Sequence, residues 1–382
     1  METACPLLWN HFCVKVGSKV VPCCRVDVRD DISDWSGDDI KNGIHSEDHT
    51  LTRQYMRNNK RPSVCSVCYR QEDAGIESSR QKYLKRYTEV NYDLEPDKIL
   101  TADIKFNNTC NLACRMCSPM SSSLISSLLK DIPQHDRIHN VPIKSQNYKE
   151  DEKLEYCKKL IKSGLEEFKT TGGEPFYQKH FHKLLDWCIE NNFNKKLAVK
   201  ITTNGTDLRH NVLEKLSTFK RCDLNISIDG YKNVYEYIRY PGKWEVIDTN
   251  LKNIIDKQND NFTVKISTLL TIYNLFDIPN IEEYLRNIGY KNKLNVECYI
   301  KPYNKSELNV KNLPKDIIVK AIESTSNYNL KKYLDSVKDN SKNKNLLHEF
   351  VRKTKLYDKN RNQSYSVLHP SIVDLIKEGI NV

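Results

Sequence analysis

Asn108-Thr109-Cys110-Asn111-Leu112-Ala113-Cys114-Arg115-Met116-Cys117 places three thiols in eight residues, spaced by three and then by two residues. Just before it, Leu100-Thr101-Ala102-Asp103-Ile104-Lys105-Phe106 alternates apolar and polar side chains in the manner of a strand. Just after it come Pro119 and a Ser-rich run that turns helical. The thiols therefore lie on a strand-to-helix loop, which can fold three thiolates round one metal centre. No fourth ligand lies nearby, so the spacing is wrong for a four-thiol zinc knuckle. Three thiolates on a four-iron cube leave one iron without a protein ligand, and a reactive metal site keeps such an open position. A zinc site completed by a distant Cys or His, or three coincidental cysteines, would show the same run.

Working outward, the 382 residues suggest two or three domains and are ample for a buried core. The formal net charge of +10, from 60 Lys+Arg against 50 Asp+Glu, is spread out rather than gathered into a basic run with interleaved aromatics. That favours a solvated basic surface over a nucleic-acid footprint. No apolar run approaches the roughly 18 residues of a spanning helix, and the N-terminus lacks the pattern of a signal peptide. The expectation is a soluble, cytoplasmic protein with no membrane partner. Thirteen cysteines, an odd count without a secretion signal, argue against a disulfide framework. Cys157, Cys188, Cys222 and Cys298 stand alone in apolar patterns and read as inert core residues.

Residues 1–95 read as a small cysteine-rich α+β module. Val14 to Val21 forms a hairpin turning at Gly17-Ser18, with Cys5 before it and Cys23-Cys24 after Pro22. Residues 50–60 look helical, and Cys65-Ser66-Val67-Cys68 opens a further helix through Arg80 and Arg86. Two thiols at i and i+3, joined by distant thiols near a hairpin, are a metal-site pattern. A metal would compensate for so small a core. Cys5, Cys23, Cys65 and Cys68 are the candidate ligands, with Cys24 able to replace Cys23 and Cys13 less suited. His11 nearby reads as an ordinary packing or surface residue.

Tyr92 to Asp97 looks like a linker. From residue 96 to 305 strands are expected at 100–106, 165–170, 197–202, 223–228, 262–269 and 294–300. Helices are expected near 118–130, 150–163, 177–191, 208–219, 231–257 (broken at Tyr240-Pro241-Gly242) and 277–288. Alternation of this kind implies βαβ units and a parallel sheet, as an open sheet or a partial barrel. Residues 306–382 form a polar helical extension in which no residue stands out as a ligand.

Each strand end then carries a motif. Thr170-Thr171-Gly172-Gly173-Glu174-Pro175 follows the second strand and Thr202-Thr203-Asn204-Gly205 the third. Ser227-Ile228-Asp229-Gly230 follows the fourth, with Arg239 twelve residues after Ser227. Together with the cysteine run, these resemble the radical S-adenosylmethionine (SAM) enzymes over about residues 98–302. The resemblance implies a partial (β/α)6 TIM-like barrel, with a 4Fe-4S cluster on Cys110, Cys114 and Cys117. It implies that Gly172, Gly173 and Glu174 bind the methionine amino group and that Thr203 and Asn204 form a turn near the cofactor. Ser227 and Arg239 would meet its carboxylate and ribose. The position before the third cysteine, usually aromatic in the family, is Met116. The N-terminal module resembles the auxiliary-cluster domains called SPASM and twitch, although it precedes the barrel here. That resemblance implies an auxiliary 4Fe-4S cluster on Cys5, Cys23, Cys65 and Cys68, for which structural zinc is the alternative.

The implied chemistry is reductive cleavage of SAM to a 5′-deoxyadenosyl radical that abstracts hydrogen from a substrate. An external flavodoxin- or ferredoxin-like donor would supply the electron. The module and the Ser227/Arg239 pair point to a peptide or protein substrate. A small-molecule radical dehydrogenase is the nearest alternative, and a non-catalytic metal-stabilised binding protein is the alternative from another class.

Overall fold

The computed structural model describes residues 2–26, 40, 42–73, 75, 77–137, 147–297, 306–339 and 343–378. The chain opens with α1 (Leu7–Asn10) running into β1 (His11–Val14), and then β2 (Val20–Val21). The turn between the strands closes when Lys15 N donates to Lys19 O at 2.8 Å and Ser18 N to Lys15 O at 2.9 Å. Three helices follow, α2 (Glu47–Arg57), α3 (Ser66–Asp73) and α4 (Ser79–Arg86). The last two were expected as one helix. They separate because Gly75 takes φ +70° and because Ser78 starts α4 with a capping box. In it the Ser78 hydroxyl accepts from Gln81 N and the Gln81 side chain accepts from Ser78 N.

The barrel elements are β3 (Thr101–Ile104), α5 (Ser123–Leu128), α6 (Glu150–Lys162), β4 (Glu167–Thr170), α7 (Lys179–Glu190), β5 (Ala198–Thr203) and α8 (His210–Ser217). They continue as β6 (Arg221–Ser227), α9 (Asn233–Ile238), α10 (Trp244–Ile255), β7 (Phe262–Leu269), α11 (Ile278–Asn287) and β8 (Asn295–Glu297). Each strand and helix expected from the sequence has its counterpart, with the break at Tyr240-Pro241-Gly242 separating α9 from α10. The end of the last expected strand, with Cys298, lies outside the described residues. The extension folds as α12 (Lys315–Ser324), α13 (Tyr328–Val337), α14 (Lys344–Arg361) and α15 (Pro370–Glu378).

The strand order is β2-β1-β3-β4-β5-β6-β7-β8, an open sheet. The hairpin pair β1–β2 is antiparallel, while β1–β3, β3–β4, β4–β5 and β7–β8 are parallel. The chain divides into two compact units. The first comprises residues 1–108, 145–201 and 209–223, and the second residues 109–144, 202–208 and 224–382.

In the first unit α6 and α7 bury Cys157, Leu160, Ile161, Phe181, Leu184, Leu185 and Cys188. A Leu or Phe so buried contributes about 1.5–3 kcal/mol. The same strands also carry charge. Lys169 Nζ meets Asp103 Oδ2 at 3.0 Å, and Glu167 Oε2 receives Lys200 at 2.8 Å and Arg86 at 2.9 Å. Lys153 of α6 is fully buried. Its ammonium donates to the carbonyls of Val16 (3.0 Å), Lys105 (2.7 Å) and Phe106 (2.9 Å), with Lys15 O at 3.5 Å. Burial draws its pKa down to about 7, while the carbonyl acceptors favour the charged form.

The second unit has its own core. Trp244 meets Tyr231, Tyr235 and Tyr284 edge-on at centroid distances of 5.0, 5.6 and 4.9 Å. Ile247, Leu251 and Ile254 of α10 are buried beside them in the sequence at helical spacing.

Candidate metal and cofactor sites

The loop after β3 belongs to the second unit and is held by its backbone. Ala113 N donates to Tyr240 O at 2.6 Å and Arg115 N to Ile238 O at 2.8 Å, so the stretch on either side of Cys114 is tied to the end of α9. Cys110 N lies 3.2 Å from Ser123 Oγ. Arg115 is fully buried. Its Nε donates to Tyr237 O at 2.9 Å, its Nη2 reaches Asp358 and, at 3.0 Å, Gln363, and its guanidinium lies 3.7 Å from the Tyr237 ring centroid. The loop is thus anchored by α14, in the extension where the sequence offered no site residue.

Burial pushes the Cys114 and Cys117 thiols up. The next causes for Cys117 are Cys114 and Cys110, so both other sulfurs of the loop act on it. Around Cys114, Arg239 and Arg361 pull the thiol down and Asp229 pushes it up. Thiolates gathered out of water need a compensating cation, which a metal centre supplies.

The turn at Thr203-Asn204 braces this loop. Asn204 Nδ2 donates to Asn111 Oδ1 at 2.8 Å and stands 4.0 Å from Cys110 Sγ, while Asn111 Nδ2 donates to Thr206 Oγ1 at 2.9 Å. Thr203 Oγ1 accepts from Gly205 N at 3.1 Å. Ser227 ends β6, half-buried. Arg239 is paired with Asp229, Nε to Oδ2 at 2.8 Å and Nη2 to Oδ2 at 2.6 Å. Asp229 is itself fixed by Leu269 N at 2.8 Å. It stands inside a motif quoted from the sequence, yet only the fold shows it holding Arg239.

The Gly172-Gly173-Glu174 turn belongs to the first unit. Gly172 and Gly173 take φ +85° and +61°, and a Cβ on Gly172 would come within 2.9 Å of the Lys105 side chain. Gly172 O accepts from Gln178 Nε2 at 2.8 Å, and the buried Glu174 carboxylate accepts from Phe176 N at 3.2 Å.

Also in the first unit, Cys5, Cys23, Cys65 and Cys68 line one cavity, walled by apolar side chains such as Val26 and Val64 and by Arg80. Exposed Cys24 is not among the lining residues; its carbonyl accepts from Lys15 Nζ at 2.8 Å and its sulfur lies 3.8 Å from Lys169 Nζ. Cys13 is buried in a small apolar cluster with Val21 and Val26. Burial pushes Cys23 up to about 12, with Cys24 the next cause, and raises Cys5 and Cys65 still more surely, each through burial and then a neighbouring thiol. Arg80 fastens the Cys5 segment: it donates to Glu2 O and Ala4 O, both at 2.9 Å, and pairs with Glu72.

Among the described residues no three His, Cys, Asp or Glu side chains converge to hold a single metal ion. One zinc draws its sulfurs to about 2.3 Å from a common centre. A four-iron cube takes them at its separate corners.

Residues 104–285 match the family model described as the Radical SAM superfamily. This part of the chain is thus similar to a radical SAM domain. A probable GTP 3′,8-cyclase of Methanocaldococcus jannaschii is 27% identical over 195 residues, which are 50% of this chain and 57% of the relative. The sporulation killing factor maturation protein SkfB of Bacillus subtilis is 23% identical over 190 residues, 50% of this chain and 40% of the relative. Streptococcus suis SuiB, solved bound to precursor peptide SuiA, aligns with a TM-score of 0.42 at 13% identity, covering 85% of this chain and 69% of that one. The chain spans about half the length of the curated relatives it matches. A radical SAM domain works with a 4Fe-4S cluster and SAM. The donor set of the loop, three thiols in eight residues with Cys114 and Cys110 both acting on Cys117, fits that cluster. No described helix is long and apolar enough to cross a membrane.

Proposed function

We propose that the chain is a radical SAM enzyme that modifies or oxidises a peptide or protein. In this reading residues 96–305 form the core, 1–95 an auxiliary module and 306–382 an extension that anchors the core loop. Cys110, Cys114 and Cys117 would hold the cluster, and the observation that carries the reading is their loop, tied to Tyr240 O and Ile238 O and through Arg115 to Tyr237 O, with Cys114 and Cys110 both acting on the Cys117 thiol. Bound there, such a cluster would supply the one-electron reducing chemistry that cleaves SAM to methionine and a 5′-deoxyadenosyl radical.

The chain's own residues bind and orient. Gly172, Gly173 and Glu174 take the amino end of SAM, Ser227 and Arg239 its carboxylate and ribose, and the Thr203-Asn204 turn keeps the Cys110 side of the loop in place. Asp229 holds the Arg239 fork at a fixed angle, and such a fork suits bidentate recognition of a carboxylate. Cys5, Cys23, Cys65 and Cys68 would hold an auxiliary 4Fe-4S cluster, which would supply an electron acceptor or a ligand for the substrate. The electron for SAM cleavage would come from a flavodoxin- or ferredoxin-like protein. Relatives named as maturases, SkfB and mycofactocin maturase MftC of Mycolicibacterium smegmatis, support a peptide substrate.

The test is anaerobic reconstitution with iron and sulfide, addition of dithionite and SAM, and measurement of 5′-deoxyadenosine. Wild type forms it and Cys114→Ala does not; equal amounts from both would overturn the reading.

A further inference from the structure

Arg361, the last residue of α14, presents an unsolved electrostatic problem. It is 7% exposed, and neither Nη1 nor Nη2 has a hydrogen-bond partner among the described residues. Its guanidinium lies over two aromatic rings, 4.9 Å from the Tyr357 centroid and 5.3 Å from that of Tyr240. Tyr240 is the residue whose carbonyl receives Ala113 N at 2.6 Å, next to Cys114. A buried, unpaired guanidinium is strongly unfavourable, and aromatic faces offset only part of that cost.

The local charges sharpen the point. Arg115, Arg239 and Arg361 all belong to the surroundings of this loop, and Asp358 and Asp229 neutralise the first two. The third has no carboxylate partner among the described residues. Arg115 is close enough to oppose the charge on Arg361, and the Cys114 thiol is close enough to favour it. Among the described residues, the second unit thus holds a cation at the cysteine loop that lacks its anion.

We propose that Arg361 is the counter-charge of the iron–sulfur cluster on the Cys114 side, so that the C-terminal extension completes the cluster's electrostatic environment. A cluster held by three thiolates is anionic, and it becomes more so on reduction. A guanidinium kept out of water near Cys114, packed on two tyrosines and with neither Nη partnered among the described residues, stabilises the reduced form more than the oxidised one. Arg361 therefore acts as a tuning residue that makes the cluster easier to reduce. The proposal rests on the cluster assignment made above.

The test compares wild type with Arg361→Met and Arg361→Lys, each as the full chain, metal-free and reconstituted. Metal-free Arg361→Met should melt at a higher temperature than metal-free wild type, because an unpaired buried charge is removed. After reconstitution the order should reverse. The reduced cluster is identified by the change SAM makes to its EPR spectrum, and its midpoint potential should move to a more negative value in Arg361→Met while Arg361→Lys stays near wild type. A lower melting temperature in both forms with an unchanged potential, or a metal-free Arg361→Met that does not fold, would make Arg361 a packing residue and overturn the proposal. An unchanged potential with weakened SAM binding would overturn it too, by assigning the charge to the SAM carboxylate. Absence of any SAM-sensitive EPR signal in wild type would instead defeat the cluster assignment itself.

Discussion

His11 is an imidazole packed where β1 leaves almost no room for water. It is 6% exposed, and its Nδ1 shares a hydrogen bond with Thr101 Oγ1 at 2.8 Å. Burial lowers its pKa from 6.5 to about 4. Below pH 6.5 the unfolded chain takes up a proton that the folded chain refuses. Stability therefore falls as the pH drops from 6.5 toward 4, by about 3 kcal/mol in all at 1.36 kcal/mol per pKa unit. Urea midpoints across that window should decline steeply for wild type and less steeply for His11→Asn; parallel lines would mean that the folded ring is charged. Asp358 makes the opposite kind of case, a carboxylate whose removal strands a cation. Asp358→Ala leaves Arg115 fully buried with one hydrogen-bonded side chain, Gln363, in place of an ion pair. The expected loss is about 3–5 kcal/mol in urea unfolding. The reconstituted variant should also hold less iron, because Arg115 lies between Cys114 and Met116 on the loop itself.

At the scale of elements, α6 acts as a strap through Lys153, whose ammonium draws the hairpin turn at Lys15-Val16 and the end of β3 at Lys105-Phe106 onto one helix. Lys153→Met keeps the stem and abandons those carbonyls. It should cost about 3 kcal/mol in urea unfolding, since buried carbonyls without donors cost about 1–3 kcal/mol each and some will find water. A loss below about 0.5 kcal/mol would show that they were never dependent on the ammonium. The hairpin itself was legible from the alternation around Gly17-Ser18. Its parallel pairing with β3 was not, because a strand of four residues carries no mark of its neighbour, and His11 to Val14 meets Thr101 to Ile104 across ninety residues of sequence. The division of α3 from α4 was written in Gly75 and in Ser78 with Gln81 three residues on, a signal overridden by the apparent continuity of the helical pattern. The barrel strands were read well because each buried face repeats at period two and ends at a glycine or polar turn.

For the molecule as a whole, the sequence already separated two groups of thiols, and the fold gathers the four distant cysteines of the first group around one cavity. What sequence could not show is how the extension participates. Arg115 finds Asp358 at a separation of 243 residues, and Arg361 sits on a polar helix where every third side chain is charged. Pairing at that distance leaves no periodic trace. Two separate centres make a stoichiometric prediction. Reconstituted wild type should carry about eight irons per chain, if each group holds a four-iron cluster. Cys114→Ala and Cys65→Ala should each carry about four, for opposite reasons. The first should lose 5′-deoxyadenosine formation altogether. The second should still cleave SAM, since its vacancy lies in the N-terminal cavity, but should fail to complete turnover of a peptide substrate. Zinc in the purified wild type at one per chain, retained in Cys114→Ala and absent from Cys65→Ala, would make the N-terminal centre structural. About four irons in wild type together with that zinc would then leave the Cys110–Cys117 loop as the only iron–sulfur site of the chain.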